Sequence, residues 1–243
     1  MIEAGLRRYE EINDEIKAAL SCHSKCTVKD VNGQRYIGCA LDEGKTIEIY
    51  GTPGNDMACY LNGGRVIVYG SCQDAVGNTM NGGEIVVHGH SGDAMGYGMR
   101  DGQIYIRDNV ACRGGIHMKE FREMRPVLVI GQNAGSFLGE YMAGGTIVLL
   151  GLNIKHGEKL FGTHCASGMH GGKIIVRGTF PKENLSENIK VETLNAEDEK
   201  ELKAYIKKYC KYFGADFDEI MAKPFKKLVP ATSRPYANLY TPN

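Results

Sequence analysis

The sequence lacks a surplus of charge, a long apolar run and a secretion signal. Its 29 basic residues balance 29 acidic residues, whereas proteins that bind nucleic acid through its phosphates usually carry a basic surplus. The longest apolar runs have the length of a strand, and a membrane helix needs about 20 apolar residues. Met1-Ile2-Glu3 begins no secretion signal. We therefore expect a soluble cytoplasmic protein that binds neither nucleic acid nor a membrane.

Tryptophan is absent and proline is scarce, but glycine is abundant. The chain has 32 glycines in 243 residues, nearly twice the ordinary usage of about 7%. The glycines do not recur at every third position, which excludes collagen, and the many aliphatic residues between them argue against disorder. The eight cysteines are expected to be reduced thiols, because the chain begins no secretion signal. The glycines therefore indicate a special backbone requirement of an ordered fold.

The glycines belong to a repeat. Seven strand-like segments of the pattern x-Ile-x-Val-x-Gly recur, and their closing positions are 51, 70, 89, 108, 131, 151 and 178. The spacings are therefore 19, 19, 19, 23, 20 and 27 residues. A leucine or methionine and a glycine pair precede most strands, and a small residue lies three positions further upstream. The consensus is small-x-x-Met-x-Gly-Gly-x-Ile-x-Val-x-Gly.

One strand in each unit predicts a stack of parallel strands. A single strand cannot bury itself, but strands stacked about 4.8 Å apart can, and glycine suits corners that need a positive φ. We predict an all-β fold, a right-handed parallel β-helix of about seven coils. The left-handed form is disfavoured because its aliphatic residues recur about every six positions. We assign residues 1–40 to an N-terminal helix and lead-in, 41–180 to the β-helix and 181–243 to a C-terminal helical extension and tail.

The strands carry apolar residues on their outer face as well. Alternation along the strands predicts an outward apolar column formed by Ile67, Val86, Tyr105, Leu128, Val148 and Ile175. A sheet that is apolar on both faces is normally covered on both. Amphipathic helices are predicted from Leu6 to Leu20 and from the cap Asn195 to the stop Gly214. Either helix or a partner protein could cover the column.

Candidate chemical groups are few. Cys22, His23 and Cys26 form one short cluster, but a structural zinc site normally needs two such pairs. His88 and His90 precede Asp93, and the position of His88 beside Tyr69 favours a stacking ladder. His164, Cys165 and His170 lie in the longest insertion, where spacing alone does not orient a thiol and an imidazole. The basic residues of the insertion 113–125 are balanced by acids, which favours a solvated loop or short helix.

The repeated Met-x-Gly-Gly-x-Ile-x-Val-x-Gly unit resembles the GXGXG domain of glutamate synthase, the third and C-terminal domain of its large subunit. Similar segments are Asn32 to Gly38, Gly168 to Gly172 with Arg177-Gly178, and Lys227 to Pro230 with Arg234-Pro235-Tyr236. A similar repeat occurs in the third subunit of formylmethanofuran dehydrogenase and in a small subunit of N-methylglutamate synthase. The flanking segments favour the glutamate synthase type.

The resemblance implies an oxidoreductase of glutamate biosynthesis and nitrogen metabolism. In that family an N-terminal cysteine hydrolyses glutamine, ammonia reaches a flavin and iron–sulfur domain, and the β-helix domain holds these parts without catalytic residues. This sequence offers Met1-Ile2 instead of that cysteine and no room for a flavin barrel. We therefore expect a separate structural subunit without a cofactor. Its expected partners are a glutaminase-like subunit and a synthase subunit that holds FMN and an iron–sulfur cluster.

Other interpretations stay open at this point. The chain could belong to a formylmethanofuran dehydrogenase or N-methylglutamate synthase type of complex. It could also be a metal-binding enzyme that uses Cys22 and Cys26, or His164 and His170. In isolation it could form a homo-oligomer.

Overall fold

A computed structural model describes residues 1–155 and 157–232. The elements are β1 (Ile2–Glu3), α1 (Tyr9–Cys22), β2 (Lys25–Asn32), β3 (Thr46–Thr52), β4 (Asn62–Tyr69), β5 (Asn81–Val87), β6 (Asp101–Ile106), β7 (Val127–Ile130), β8 (Ala143–Leu149), β9 (Gly171–Arg177), a 3-10 turn (Lys182–Asn184), β10 (Ile189–Glu192), α2 (Ala196–Phe213), α3 (Phe217–Met221) and β11 (Phe225–Pro230). The strands form an eleven-stranded sheet of order β1-β2-β3-β4-β5-β6-β7-β8-β9-β11-β10. The first nine are parallel, whereas β11 runs antiparallel to β9 and β10 antiparallel to β11.

The repeat forms a parallel β-solenoid of about six turns, which confirms the predicted parallel β-helix with a slightly lower coil count. The seven repeat strands β3 to β9 are joined by six turns of chain. Equivalent inward residues pair from strand to strand, namely Ile47, Val66, Ile85, Ile104, Leu128, Ile147 and Ile174. The steps between these residues are therefore 19, 19, 19, 24, 19 and 27. The fourth and fifth steps differ by one residue from those measured between closing positions.

The turn before each strand uses three left-handed residues at alternate positions. In the turn before β5, for example, Ala75, Gly77 and Thr79 all have positive φ. The middle position is glycine or alanine in every turn, and a Cβ atom at Gly77 would lie 2.7 Å from the Cδ1 atom of Ile104. The small residues of the repeat therefore serve close packing as well as backbone conformation.

The interior of the solenoid is a continuous apolar core. The leucine or methionine before each glycine pair is buried, as at Met80, Met99 and Met142. Helix α1 closes the N-terminal end of this core, because Ile12, Ile16 and Leu20 pack into the same cluster. Residue Leu6, which the sequence pattern assigned to this helix, precedes α1 and is exposed. No helix in the described part of the chain is long and apolar enough to cross a membrane.

Candidate functional site

The outer column of the sheet differs from the predicted one at a single position. Tyr105 pairs with Val129, which in turn pairs with Val148. Leu128 instead points into the interior, where it joins the core cluster. The prediction of Leu128 in the outer column was therefore wrong. The insertion before β7 is one residue longer than the closing positions suggest, and a shift of one residue moves a strand side chain to the other face.

Helix α2 covers this outer face of the sheet. Tyr105, Val129, Val148 and Ile175 share a second buried cluster, to which the helix contributes Leu202, Ile206 and Tyr209. Ile67 and Val86 are buried as well. The chain thus covers the column itself, and a partner protein could reach it only if α2 moved away.

Ion pairs fix the N-terminal end of α2 to the sheet. The ammonium group of Lys173 lies 2.8 Å from the Asp198 carboxylate and 2.7 Å from that of Glu201. Lys227 of β11 also lies 2.8 Å from Asp198. Burial alone would raise the pKa of Asp198, but hydrogen bonds from Lys173 and Lys227 lower it to about 2. Asn195 caps the helix through a reciprocal capping box with Asp198, as the sequence predicted.

The C-terminal half of α2 is held by Glu84 of β5. The Glu84 carboxylate pairs with Lys208 and accepts a hydrogen bond from the Tyr212 hydroxyl at 2.7 Å. Burial opposes ionisation of Glu84, but these two hydrogen bonds lower its pKa below the ordinary value. Nearby, the Tyr209 hydroxyl donates to the carbonyl oxygen of Arg107 at 2.9 Å. Polar contacts thus fix both ends of the helix around its apolar face.

The predicted stacking ladder at His88 is confirmed. The rings of Tyr50 and Tyr69 stack with centroids 4.6 Å apart, and those of Tyr69 and His88 with centroids 5.0 Å apart. Phe213 of α2 meets the other side of His88 edge-on. Burial, followed by the charge of Arg107, lowers the pKa of His88. These contacts assign His88 a packing role.

The Cys22 and Cys26 cluster separates in the fold. Cys22 is exposed at the end of α1, whereas Cys26 is buried and belongs to the core cluster. Burial raises the pKa of the Cys26 thiol. Within residues 1–155 and 157–232, no three histidine, cysteine or acidic side chains are grouped as metal ligands would be.

The histidines of the longest insertion also separate. His164 stacks on Phe137 with centroids 5.0 Å apart, whereas His170 lies further along, beside the turn before β9. Cys165 between them is fully buried, and burial raises the pKa of its thiol. The structure does not bring these three groups together, so it gives no support to a thiol–imidazole site.

The insertion 113–125 ends in a tight hairpin rather than in a helix. Phe121 and Met124 form an antiparallel bridge around Arg122, which has a positive φ. Arg113 pairs with Glu140 at 3.5 Å. The hairpin leaves the Phe121 ring exposed, with the guanidinium group of Arg122 over it.

A family model for the GXGXG motif matches residues 8–234 of the chain. The chain belongs to the GXGXG family. The match covers the solenoid and α2, and its last residue, Arg234, lies outside the described residues, as do Pro235 and Tyr236 of the predicted tail motif. An uncharacterized protein of Methanocaldococcus jannaschii is 41% identical over 252 residues. That match covers 100% of this chain and 97% of the relative.

One surface of this GXGXG protein was not predicted from the sequence. A shallow groove of about 300 Å³ runs beside the turns that precede β5 to β9. The groove-lining cluster includes six exposed side chains, those of Tyr97, Arg100, His117, Lys119, Tyr141 and His170. The rings of His117 and Tyr141 stack with centroids 5.2 Å apart. A signal was present, because the residue that follows the repeat methionine is basic at Arg100, Lys119 and His170.

Proposed function

We propose that this GXGXG protein is a non-catalytic structural subunit of a glutamate-synthase-type complex. It holds a glutaminase-like subunit and a synthase subunit together in the cytoplasm. The observation that carries the proposal is the extent of the family match, since the GXGXG motif spans residues 8–234. The relative supports the same interpretation, because this chain aligns with 97% of its length.

The shape of the solenoid suits this role. Seven repeat strands spaced about 4.8 Å apart form a sheet about 29 Å long, with turn faces along its sides. Helix α2 already covers the outer apolar column. The proposal therefore assigns partner contacts to the turn faces and to the ends of the stack.

The proposal assigns the chemistry to the partners. The glutaminase-like subunit releases ammonia from glutamine, and the synthase subunit holds FMN and an iron–sulfur cluster. This chain contributes the spacing between them and no reacting group. In this role the chain would act only within an assembly.

Reconstitution tests the proposal. The glutaminase-like and synthase subunits encoded in the same genome are purified with and without this chain, and glutamine-dependent glutamate formation is measured. We expect a stable three-subunit complex by size-exclusion chromatography and a loss of at least tenfold in activity without the chain. Full activity and assembly in its absence would contradict the proposal.

Purification of the chain from native cells distinguishes the alternative complexes. Mass spectrometry of the proteins that co-purify from native cells should identify glutamate synthase subunits. Subunits of formylmethanofuran dehydrogenase or N-methylglutamate synthase in stoichiometric amounts would instead favour those assemblies. Elemental analysis of the purified chain tests the alternative of a metal-binding enzyme. One equivalent of bound metal would support that alternative.

A further inference from the structure

We infer that the groove beside the turns preceding β5 to β9 binds an acidic, extended peptide segment of a partner subunit. The inference rests on the proposed function, because it assumes that the chain works within an assembly. It concerns a surface separate from the sheet face that α2 covers. Three observations support it: the positive charge of the groove, the engagement of the nearby acidic side chains in other contacts, and the length of the groove.

The groove gathers nitrogen-bearing side chains without acidic partners. Arg100, Lys119, His117 and His170 line it, and none of its lining residues is acidic. Within the described residues, the side chain of Arg100 bonds only to the amide oxygen of Asn81, at 3.2 Å, and Lys119 has no ion-pair partner. The chain as a whole has no net charge, so the groove is a local excess of basic side chains over acidic ones.

The repeat places two of these cations on neighbouring coils. The Lys119 amide donates to the carbonyl oxygen of Met99, next to Arg100, so the two residues occupy equivalent positions one coil apart. Like charges in such positions repel each other. An equivalent pair elsewhere on this solenoid is complementary, because Arg65 faces Glu84 on the neighbouring strand and forms an ion pair with it. A bound anionic segment would relieve the repulsion at Arg100 and Lys119.

The acids next in sequence serve other contacts. The Asp101 carboxylate accepts a hydrogen bond from the Arg125 amide at 3.2 Å. That of Glu120 accepts one from the Gly145 amide at 3.0 Å. Asp101 directly follows Arg100, and Glu120 directly follows Lys119. Neither acid lines the groove. They therefore do not supply the missing counter-charge within the groove.

The length of the groove favours an extended chain over a small anion. Its lining residues come from the five successive turns that contain Thr79, Arg100, Lys119, Tyr141 and His170, and four intervals of about 4.8 Å extend over about 19 Å. An extended peptide of six residues has about this length at 3.3 Å per residue. The groove is open to solvent along its length, whereas a typical small-molecule pocket encloses most of its ligand. Exposed rings such as Tyr97 and His117 offer apolar surface between the cations.

Calorimetric titration with hexaglutamate tests the inference on the purified full chain. We expect measurable binding at low salt that weakens as salt is added, and no binding of hexaglutamine. The Arg100→Gln/Lys119→Gln double variant should bind about tenfold more weakly, as expected for the loss of two exposed charge contacts. The control Lys17→Gln/Lys203→Gln removes two exposed cations elsewhere and should bind like the unmodified chain. Circular dichroism verifies that both variants fold.

Three results would overturn the inference. These are no binding of hexaglutamate, equal binding by the double variant and the unmodified chain, or binding of inorganic phosphate or a nucleoside monophosphate in preference to the peptide. In the reconstituted complex, the charge-reversal variant Arg100→Glu/Lys119→Glu should lose the partner subunit. If that complex assembles unchanged, the inference fails while the proposed function stands. If the chain binds the peptide but assembles with no glutamate synthase subunit, the proposed function fails instead.

Discussion

At the scale of single residues, the glycine that closes a strand can mark a close approach of three chain segments. A methyl group at Gly131 would collide with the carbonyl oxygen of Arg107 and with the Tyr209 hydroxyl. These are the two groups that hydrogen-bond to each other under α2. Burial raises the pKa of Tyr209, which keeps the phenol protonated as a donor. Gly131 thus permits both the coil stacking and the seating of the helix.

We predict that Gly131→Ala lowers the free energy of unfolding by about 2–3 kcal/mol, because the added methyl overpacks the site and disturbs a buried hydrogen bond. Urea unfolding followed by circular dichroism measures the loss. Gly82→Ala is the matched control: Gly82 also lies in the repeat, and its Cβ atom would come no closer than 3.6 Å to other atoms. Equal stability of the two variants would refute the close approach.

Single residues also set the limit of prediction from sequence. The repeat alone predicted the strands and most of the inward aliphatic positions, because most strands are marked by a glycine pair and a closing glycine. It misplaced Leu128 because the insertion before β7 is one residue longer than the closing positions 108 and 131 indicate, and only the pairing of Tyr105 with Val129 reveals the register. Left-handed residues such as Arg113 and Phe137 could not be predicted either, since the fold overrides their intrinsic preference.

At the scale of elements, the sequence predicted α2 but not its position. The cap Asn195 and the stop Gly214 mark both ends of the helix, and both have the expected geometry. Its location on the sheet depends on contacts between segments distant in sequence, such as Glu84 with Tyr212 and Lys173 with Asp198. A single sequence does not reveal such pairs. Asp198 is the most buried acid among them, with a side chain 5% exposed.

The Asp198 carboxylate should make stability depend on pH. Its folded-state pKa of about 2 lies below the ordinary 3.8, so its contribution is present above pH 4 and lost as the pH falls toward 2. The difference corresponds to about 2 kcal/mol. We expect Asp198→Asn to be less stable than the unmodified chain by about this amount at pH 7, and the difference to narrow between pH 4 and pH 2.

Urea unfolding at a series of pH values checks this prediction. Glu199→Gln is the control, because Glu199 is exposed on the same turn of α2 and only approaches Lys203 at 3.9 Å. That variant should follow the unmodified chain at every pH. If the free energies of unfolding of Asp198→Asn and of the unmodified chain differ by the same amount at every pH, the proposed ion-pair contribution is excluded.

At the scale of the whole molecule, the two ends of the solenoid are closed by different structural elements. The C-terminal end changes from parallel to antiparallel pairing, since β11 and β10 follow β9 in the sheet. The N-terminal end is closed by α1, whose buried residues Ile12 and Ile16 join the interior core. A stack of repeats needs such caps, because an open end exposes apolar interior and unpaired strand edges. Helix α1 therefore covers apolar interior that the first coil would otherwise expose.

We predict that Ile12→Asp/Ile16→Asp opens this end and causes association between chains. Both side chains are almost fully buried, so two carboxylates there would detach α1 from the core at a cost that exceeds its packing energy. The freed coil should then pair with another copy, and light scattering should give a mass that rises with concentration and exceeds that of the unmodified chain. The exposed-face variant Asp14→Ala/Lys17→Ala should match the unmodified chain. If the buried-face variant also matches it, with unchanged stability, α1 does not act as the cap of the N-terminal end.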